Sequence, residues 1–446
     1  MDMEHTDQLE DVLRRLPPRA LAASRSVCKA WRATVDRLRL LRADLLPLSV
    51  DAVIYGVHYL AAPKLFPRRY LAARPDDGNI AGRMRDYCNG LVLNLDNKVV
   101  NPATRQWASF PKLPCACVIP MTCRRCYHSN NCYLVYDPTV SPHYQVFLIP
   151  RIPQDASDAL PYVIYVFSSE INCWKERSFV RDGDAADNVI ARWKLDELMS
   201  YSAYWKGSLY VPSRRRKYGF VLRYVLLTLT HSENYHYYYK YQRSIVPLLL
   251  LLCCKLIFAR DLFCRLNLSN DKYQVIKLPE GGIIGSLFRI GKSKKGVYYV
   301  LNIDGRSTFQ IWFLSESHGV MDWVLNNEIS FETVWDAFEW DSDDENNEAL
   351  SKDGFEWDSD DENVVTTVDW PKKGNHDAPT HFFWCLGFHP YKEIALFHDD
   401  YTRATFAYYF NSSQIRYLGV MKNVYSEVEI SFAYTPCWTM DLPGSN

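Results

Sequence analysis

The chain has 446 residues, enough for about three domains of roughly 150 residues or for fewer, longer β-rich units. Apolar residues make up 48% of it and aromatics 14%, including 30 tyrosines, which excludes a chain disordered throughout and leans toward strands. The formal net charge of −1 hides one acidic block: between Asp336 and Glu362 lie 13 acids and one base, Lys352, leaving 50 bases against 39 acids elsewhere and a mildly basic fold.

The first ten residues are polar and acidic, with no basic stretch leading into an apolar one. No secretory signal is expected, the cytosol or nucleus is the expected compartment, and the 13 cysteines read as reduced thiols. Asp7 with Glu10 three positions later has the form of a helix N-cap. Leu9, Val12, Leu13 and Leu16 then follow at i, i+3, i+4 and i+7, one apolar face stopped by Pro17 and Pro18. A second short helix fits residues 19–26. A third fits 27–38, where Val27, Ala30, Trp31, Thr34, Val35 and Leu38 share a stripe. A module of this size, spanning residues 5–45, does not bury all of that surface unaided, so its leftover face implies a protein contact. The alternative is that the helices cap the rest of the chain.

The stretch Leu9-Glu10-Asp11-Val12-Leu13-Arg14-Arg15-Leu16-Pro17-Pro18-Arg19-Ala20-Leu21, followed by Val27-Cys28-Lys29-Ala30-Trp31-Arg32, resembles the F-box family. The Leu-Pro pair that usually opens the motif is absent, with His5 and Thr6 near its place. The resemblance implies that Leu9, Val12, Leu13, Leu16, Pro17, Leu21, Val27, Cys28 and Trp31 form or support a face that docks a Skp-type adaptor. Through that adaptor the chain would join a cullin-RING ubiquitin ligase.

Residues 46–85 present no clear pattern and read as a linker. From residue 86 to about 440 the pattern changes to short apolar or aromatic segments between Gly, Pro, Asn and Asp. Strands are expected at 90–95, 98–100, 133–136, 163–167, 207–211, 296–301, 308–314, 394–398, 405–410 and 415–420. A loose theme of strand, polar turn and aromatic strand recurs from Val99, Val135 and Val166, at 36 and 31 residues. That period is a little below the roughly 40 to 50 residues of a propeller blade. The expected architecture is α+β and multidomain: a small three-helix N-terminal module, then an all-β domain read as a β-propeller, with a β-sandwich as the alternative. Cys88-Asn89-Gly90-Leu91-Val92, Asn101-Pro102-Ala103-Thr104-Arg105-Gln106-Trp107 and Leu134-Val135-Tyr136-Asp137-Pro138 also resemble the F-box-associated β-propeller domain of plants.

Two segments interrupt this pattern. Residues 224–265 carry a tyrosine cluster and the run Leu248 to Leu252, and removing them joins Phe220-Val221-Leu222-Arg223 to Leu266 as one alternating strand. The segment reads as an insertion, of the kind a retained intron would leave. Its apolar run from Ile245 to Cys254 is too short to cross a bilayer, so no membrane partner is expected. The second is a duplication, in which the nine residues from Phe338 to Asn346 recur from Phe355 to Asn363; residues 336–363 read as a solvated acidic insertion and not a calcium loop.

Among side chains with chemistry, Cys115, Cys117, Cys123, Cys126, His128 and Cys132 crowd together, but without the paired Cys-x-x-Cys repeat of strong zinc modules they read as loop thiols. There is no Gly-x-Ser-x-Gly, phosphate-cradling loop or His-Glu-x-x-His, so no enzyme or cofactor is expected. His389-Pro390 and His398-Asp399-Asp400 read as structural, and the basic turn Arg214-Arg215-Arg216-Lys217 as solvated, with no nucleic acid partner. The resemblance implies a non-catalytic substrate receptor whose target protein is unknown. The other reading is a β-propeller interaction module that joins no ligase.

Overall fold

Residues with left-handed backbones punctuate the chain from Asn89 onward, and between them it runs in short strands. The structure is a computed structural model and describes residues 3–16, 20–21, 24–25, 27–38, 40, 50–56, 64–67, 84–112, 132–149, 162–182, 201–213, 262–279, 288–317, 320–332, 381–421, 428, 430–438, 440 and 442–445.

Two helices come first, α1 (Met3–Arg15) and α2 (Lys29–Arg37). α1 starts a turn before the expected cap, since no Pro or Gly precedes Asp7 to stop propagation; Asp7 lies within the helix and Glu10 pairs with Arg37 of α2 instead of folding back on the N-terminus. Leu13, Leu21 and Val35 form a small core with Leu9, Leu16, Trp31 and Leu40 around it. The helix expected over 19–26 lies partly outside the described residues.

β1 (Ala52–Gly56) and β2 (Lys64–Pro67) form a hairpin inside the stretch that the sequence presents as a linker. Four strands then pair in order, β3 (Met84–Cys88), β4 (Leu91–Asn94), β5 (Lys98–Asn101) and β6 (Gln106–Ser109). The same antiparallel meander follows in β7 (Cys132–Val135), β8 (Gln145–Leu148), β9 (Tyr162–Ser168) and β10 (Cys173–Arg181). It follows again in β11 (Ala203–Trp205), β12 (Ser208–Ser213), β13 (Leu262–Asn267) and β14 (Lys272–Lys277). A short parallel contact of Val180 with Lys272 and Arg181 with Tyr273 joins these last two meanders into one eight-stranded sheet. β15 (Phe288–Lys292), β16 (Val297–Asn302), β17 (Thr308–Ser317) and β18 (Val320–Ser330) make a fourth, and β19 (Phe383–Phe388), β20 (Ile394–Asp399), β21 (Ala404–Tyr409) and β22 (Gln414–Val420) a fifth. The chain then returns to its start. β23 (Ile430–Tyr434) pairs antiparallel with β1, and β24 (Gly444–Ser445) with β6.

Each of the ten segments expected as a strand forms one, and turn chemistry explains the regularity. Asn89-Gly90 and Lys206-Gly207 each place two successive positive φ angles (45° and 89°, 44° and 73°) in a two-residue hairpin, the twist that suits flanking strands. In the longer turns a single left-handed residue immediately precedes the next strand: Asn97, Arg105, Asn172, Asp271, Arg403 and Ser413. The insertion expected over 224–265 needs correction at its end. Leu262 to Arg265 belong to β13, paired with β12, and Cys264 is buried. Residues 224–261 lie outside the described residues, as does the acidic stretch 336–363.

Neighbouring sheets pack face to face. Tyr133, Phe147, Leu209 and Leu266 fill the space between the second and third meanders, and Tyr298, Phe309, Phe397 and Phe406 that between the fourth and fifth. Strands in the middle of a sheet are covered on both faces, so all six residues of β16 are buried, whereas the outer strand β18 exposes most of its residues. The first strands of the sheets meet one another: β3 touches β7, β11 touches β15, β15 touches β19, β19 touches β23, and β23 returns to β3.

A first strand is paired on one side only, and its other edge would leave buried backbone groups orphaned. Two charged side chains serve that edge. The Asp86 carboxylate accepts from the Leu134 backbone N–H of β7 at 2.7 Å and from the Ser202 hydroxyl, next to β11, at 3.0 Å. The Arg289 guanidinium of β15 donates to the Cys385 carbonyl of β19 at 3.0 Å and to the Ser431 hydroxyl of β23 at 2.8 Å.

Candidate functional site

The helical pair carries the face singled out by the sequence, and the structure divides it. Leu13 (0% exposed) and Leu21 are buried, and Leu9, Leu16 and Trp31 are half-buried around them, because a helix this short can turn only one side to its partner. Val12 and Val27 stand open at 53% and 62%, and the Cys28 thiol is exposed. Pro17 lies outside the described residues. Among the described residues no strand contributes to this small core. The Arg25 guanidinium donates to the Trp438 carbonyl at 3.2 Å, tying the module to the C-terminal segment without covering Val12 or Val27.

A second feature lies where the first strands converge. A cavity of about 70 Å³ is lined by the ends of β3, β11, β15, β19 and β23, among them Tyr87, Asn89, Ser202, Arg289, Lys292 and Phe388. That is room for a few water molecules or one small polyatomic group. Burial lowers the pKa of Lys292, whose ammonium donates to the Asn89 side-chain oxygen. Beside the cavity, burial pushes the Asp86 carboxyl up to about 7, against backbone and Ser202 hydrogen bonds that favour its charged form. No sequence signal marked Asp86, Arg289 or Lys292, since their partners lie up to 203 residues away.

The other candidates resolve differently. Cys132 is buried in β7, its thiol pushed up by burial; Cys115, Cys117, Cys123, Cys126 and His128 lie outside the described residues, as do Arg214 to Lys217. His398 is buried in β20, and burial holds its imidazole down at about 4. Asp399 accepts from the Thr402 backbone N–H at 2.9 Å and faces His381 at 3.2 Å, so its carboxylate closes the β20–β21 turn. Among the described residues no helix is long and apolar enough to cross a membrane.

Residues 9–43 match the F-box domain family. The chain carries an F-box domain. The match begins at Leu9 and runs through α2, so it encloses both exposed valines and the core beneath them. No curated protein matches the sequence. Among solved structures, one from a structural and mechanistic analysis of two prolyl endopeptidases matches 94% of this chain and 55% of its own length, at 8% identity and a TM-score of 0.32. The chain thus spans about half the length of that protein, and so slight a likeness bears on neither fold nor activity.

Proposed function

We propose that this F-box protein is the substrate receptor of an SCF-type cullin-RING ubiquitin ligase, without catalysis of its own, acting in the cytosol or nucleus. The F-box docks a Skp-type adaptor and the β domain captures a target protein, so the chain contributes proximity and orientation to chemistry done by other subunits. The observation that carries the reading is the open apolar pair Val12 and Val27, on a helical module with a core of its own and inside the F-box match. Leu9, Leu16, Cys28 and Trp31 form the rim of the docking face; Leu13 and Leu21 support it from beneath.

For the β domain we propose a six-bladed propeller of the F-box-associated kind. The run of contacts from β11 through β15, β19 and β23 to β3 and β7 supports it, as does the sheet shared by β1 and β23, which gives a ring of sheets a closing contact between the two ends of the chain. Specificity for the target lies in the loops between strands.

Capture by the adaptor tests the reading. Full-length chain bearing Val12→Asp and Val27→Asp is expected to lose at least tenfold in affinity for a purified Skp-type adaptor, because each change buries a charge in the contact, while its melting temperature stays within a degree or two. Unchanged affinity in the double variant defeats the assignment. A folded wild-type chain that captures no adaptor would leave an interaction module outside any ligase.

A further inference from the structure

Two cations line the cavity at the meeting of the first strands, and among the described residues neither has an anionic partner in contact. Arg289 is 4% exposed. Its Nη1 serves Cys385 and Ser431, and its plane lies 3.9 Å over the Tyr201 ring. Lys292, three residues on and also lining the cavity, bonds the neutral Asn89 amide. Asp137 acts on Lys292 at longer range, and Asp86 across the cavity wall is engaged by Leu134 and Ser202.

Holding a buried and a half-buried positive charge beside each other without a counter-charge is costly, and proteins pair such groups or hold an ion between them. The remaining donors of Arg289 are unobstructed for a specific reason. Gly387, at φ +143°, lies against them, and a Cβ there would stand 3.3 Å from Nη2 and 3.6 Å from Nε. Glycine keeps that edge of the guanidinium free, and Ser202 and Tyr204 also line the cavity. The cavity's 70 Å³ has room for a group of about four or five heavy atoms.

We propose that this cavity is a binding site for a single oxyanion, a carboxylate or phosphate group, held between the free edge of the Arg289 guanidinium and the Lys292 ammonium. A planar guanidinium edge matches two oxygens of such a group, and the ammonium adds a point charge. The site goes beyond the adaptor reading and stands on the cavity alone.

Calorimetric titration of the full-length chain with inorganic phosphate, and separately with acetate, tests it against chloride at matched ionic strength. At least one anion is expected to bind saturably and to raise the melting temperature with the logarithm of its concentration. Lys292→Gln, whose side chain keeps length and polarity, should weaken that binding roughly tenfold to a hundredfold, the loss of one charge-assisted bond. Because Arg289 also joins three strands, Arg289→Lys is the second variant, expected to lose affinity through the missing fork. Capped tripeptides with a central Glu or phosphoserine separate the sources: tighter binding than the free ion assigns the group to a protein target, equal or weaker binding to a free anion. No saturable binding of any of these probes, or equal affinity in Lys292→Gln, overturns the proposal. Adaptor capture by Lys292→Gln should equal wild type, so failure here is separable from failure of the docking reading.

Discussion

The Asp86 carboxyl joins β3, β7 and the approach to β11 through one buried group, and replacing it by asparagine should change how stability depends on pH. In the folded chain burial raises its pKa from 3.8 to about 7. Below about pH 4 folded and unfolded states both hold the proton, and the contribution of the group is fully present. Between about 4 and 7 the unfolded chain releases the proton while the folded chain keeps it, so stability is lost as pH rises, by up to about 1.4 kcal/mol per pH unit. From about pH 5 to 7 this amounts to about 2 kcal/mol, since the slope falls off as the folded group itself titrates near 7. The substituted amide would keep an acceptor for the Leu134 N–H but stay neutral throughout. His398, held neutral down to about 4, tilts the wild-type curve the other way below about pH 6.5, so the difference between the two proteins is the quantity to follow. Urea unfolding of full-length wild type and Asp86→Asn at about pH 5, 6, 7 and 8 should show the wild type losing about 2 kcal/mol relative to the variant between 5 and 7, then only a few tenths more by 8. Parallel curves would mean that the carboxyl titrates alike in both states, and the buried bridge would be refuted.

Leu13→Ala should destabilise the helical module by about 2 to 5 kcal/mol, read as faster amide exchange in residues 3–16, because Leu13 is the sealed centre of a core in which, among the described residues, Leu21 and Val35 are the other buried side chains. The sheets should be unaffected, and exchange there that speeds equally would contradict a separate core. Gly90→Ala should cost about 1 to 3 kcal/mol, since the residue sits at φ +89° and an added Cβ would stand 2.5 Å from Cys437 Cβ. Limited proteolysis of the variant should cut first around residues 435–440; resistance equal to wild type would argue against that close approach.

Local patterns were legible where one residue's neighbours in sequence are its neighbours in space. The apolar runs around Val99 and Val135 announced strands, whereas Gly90, read as the start of a strand, sits in the hairpin turn before β4. The F-box residues were legible for the same reason, although the split of their apolar stripe was not: Val12 and Leu13 are adjacent, and only the position of α2 decides that Leu13 is sealed and Val12 open. β1 escaped notice because a five-residue apolar run beside no patterned partner looks like linker until β23 arrives from the other end of the chain. The join at residue 266 misled for a chemical reason. Phe220-Val221-Leu222-Arg223 and Leu262-Phe263-Cys264-Arg265 share three apolar residues and an arginine, so either stretch completes a plausible strand before Leu266, and pairing with β12 selects the second.

By itself the sequence determined the first helix, ten of the strands and the apolar stripe of that helix, because periodicity and turn chemistry act over a few residues. Tertiary structure alone decided which first strands meet, where the chain closes, and that Asp86, Arg289 and Lys292 gather at that meeting point. Those contacts span separations of 48, 116, 142 and 203 residues, and at such distances a buried charge finds its partner through the packing of whole sheets and not through any spacing along the chain.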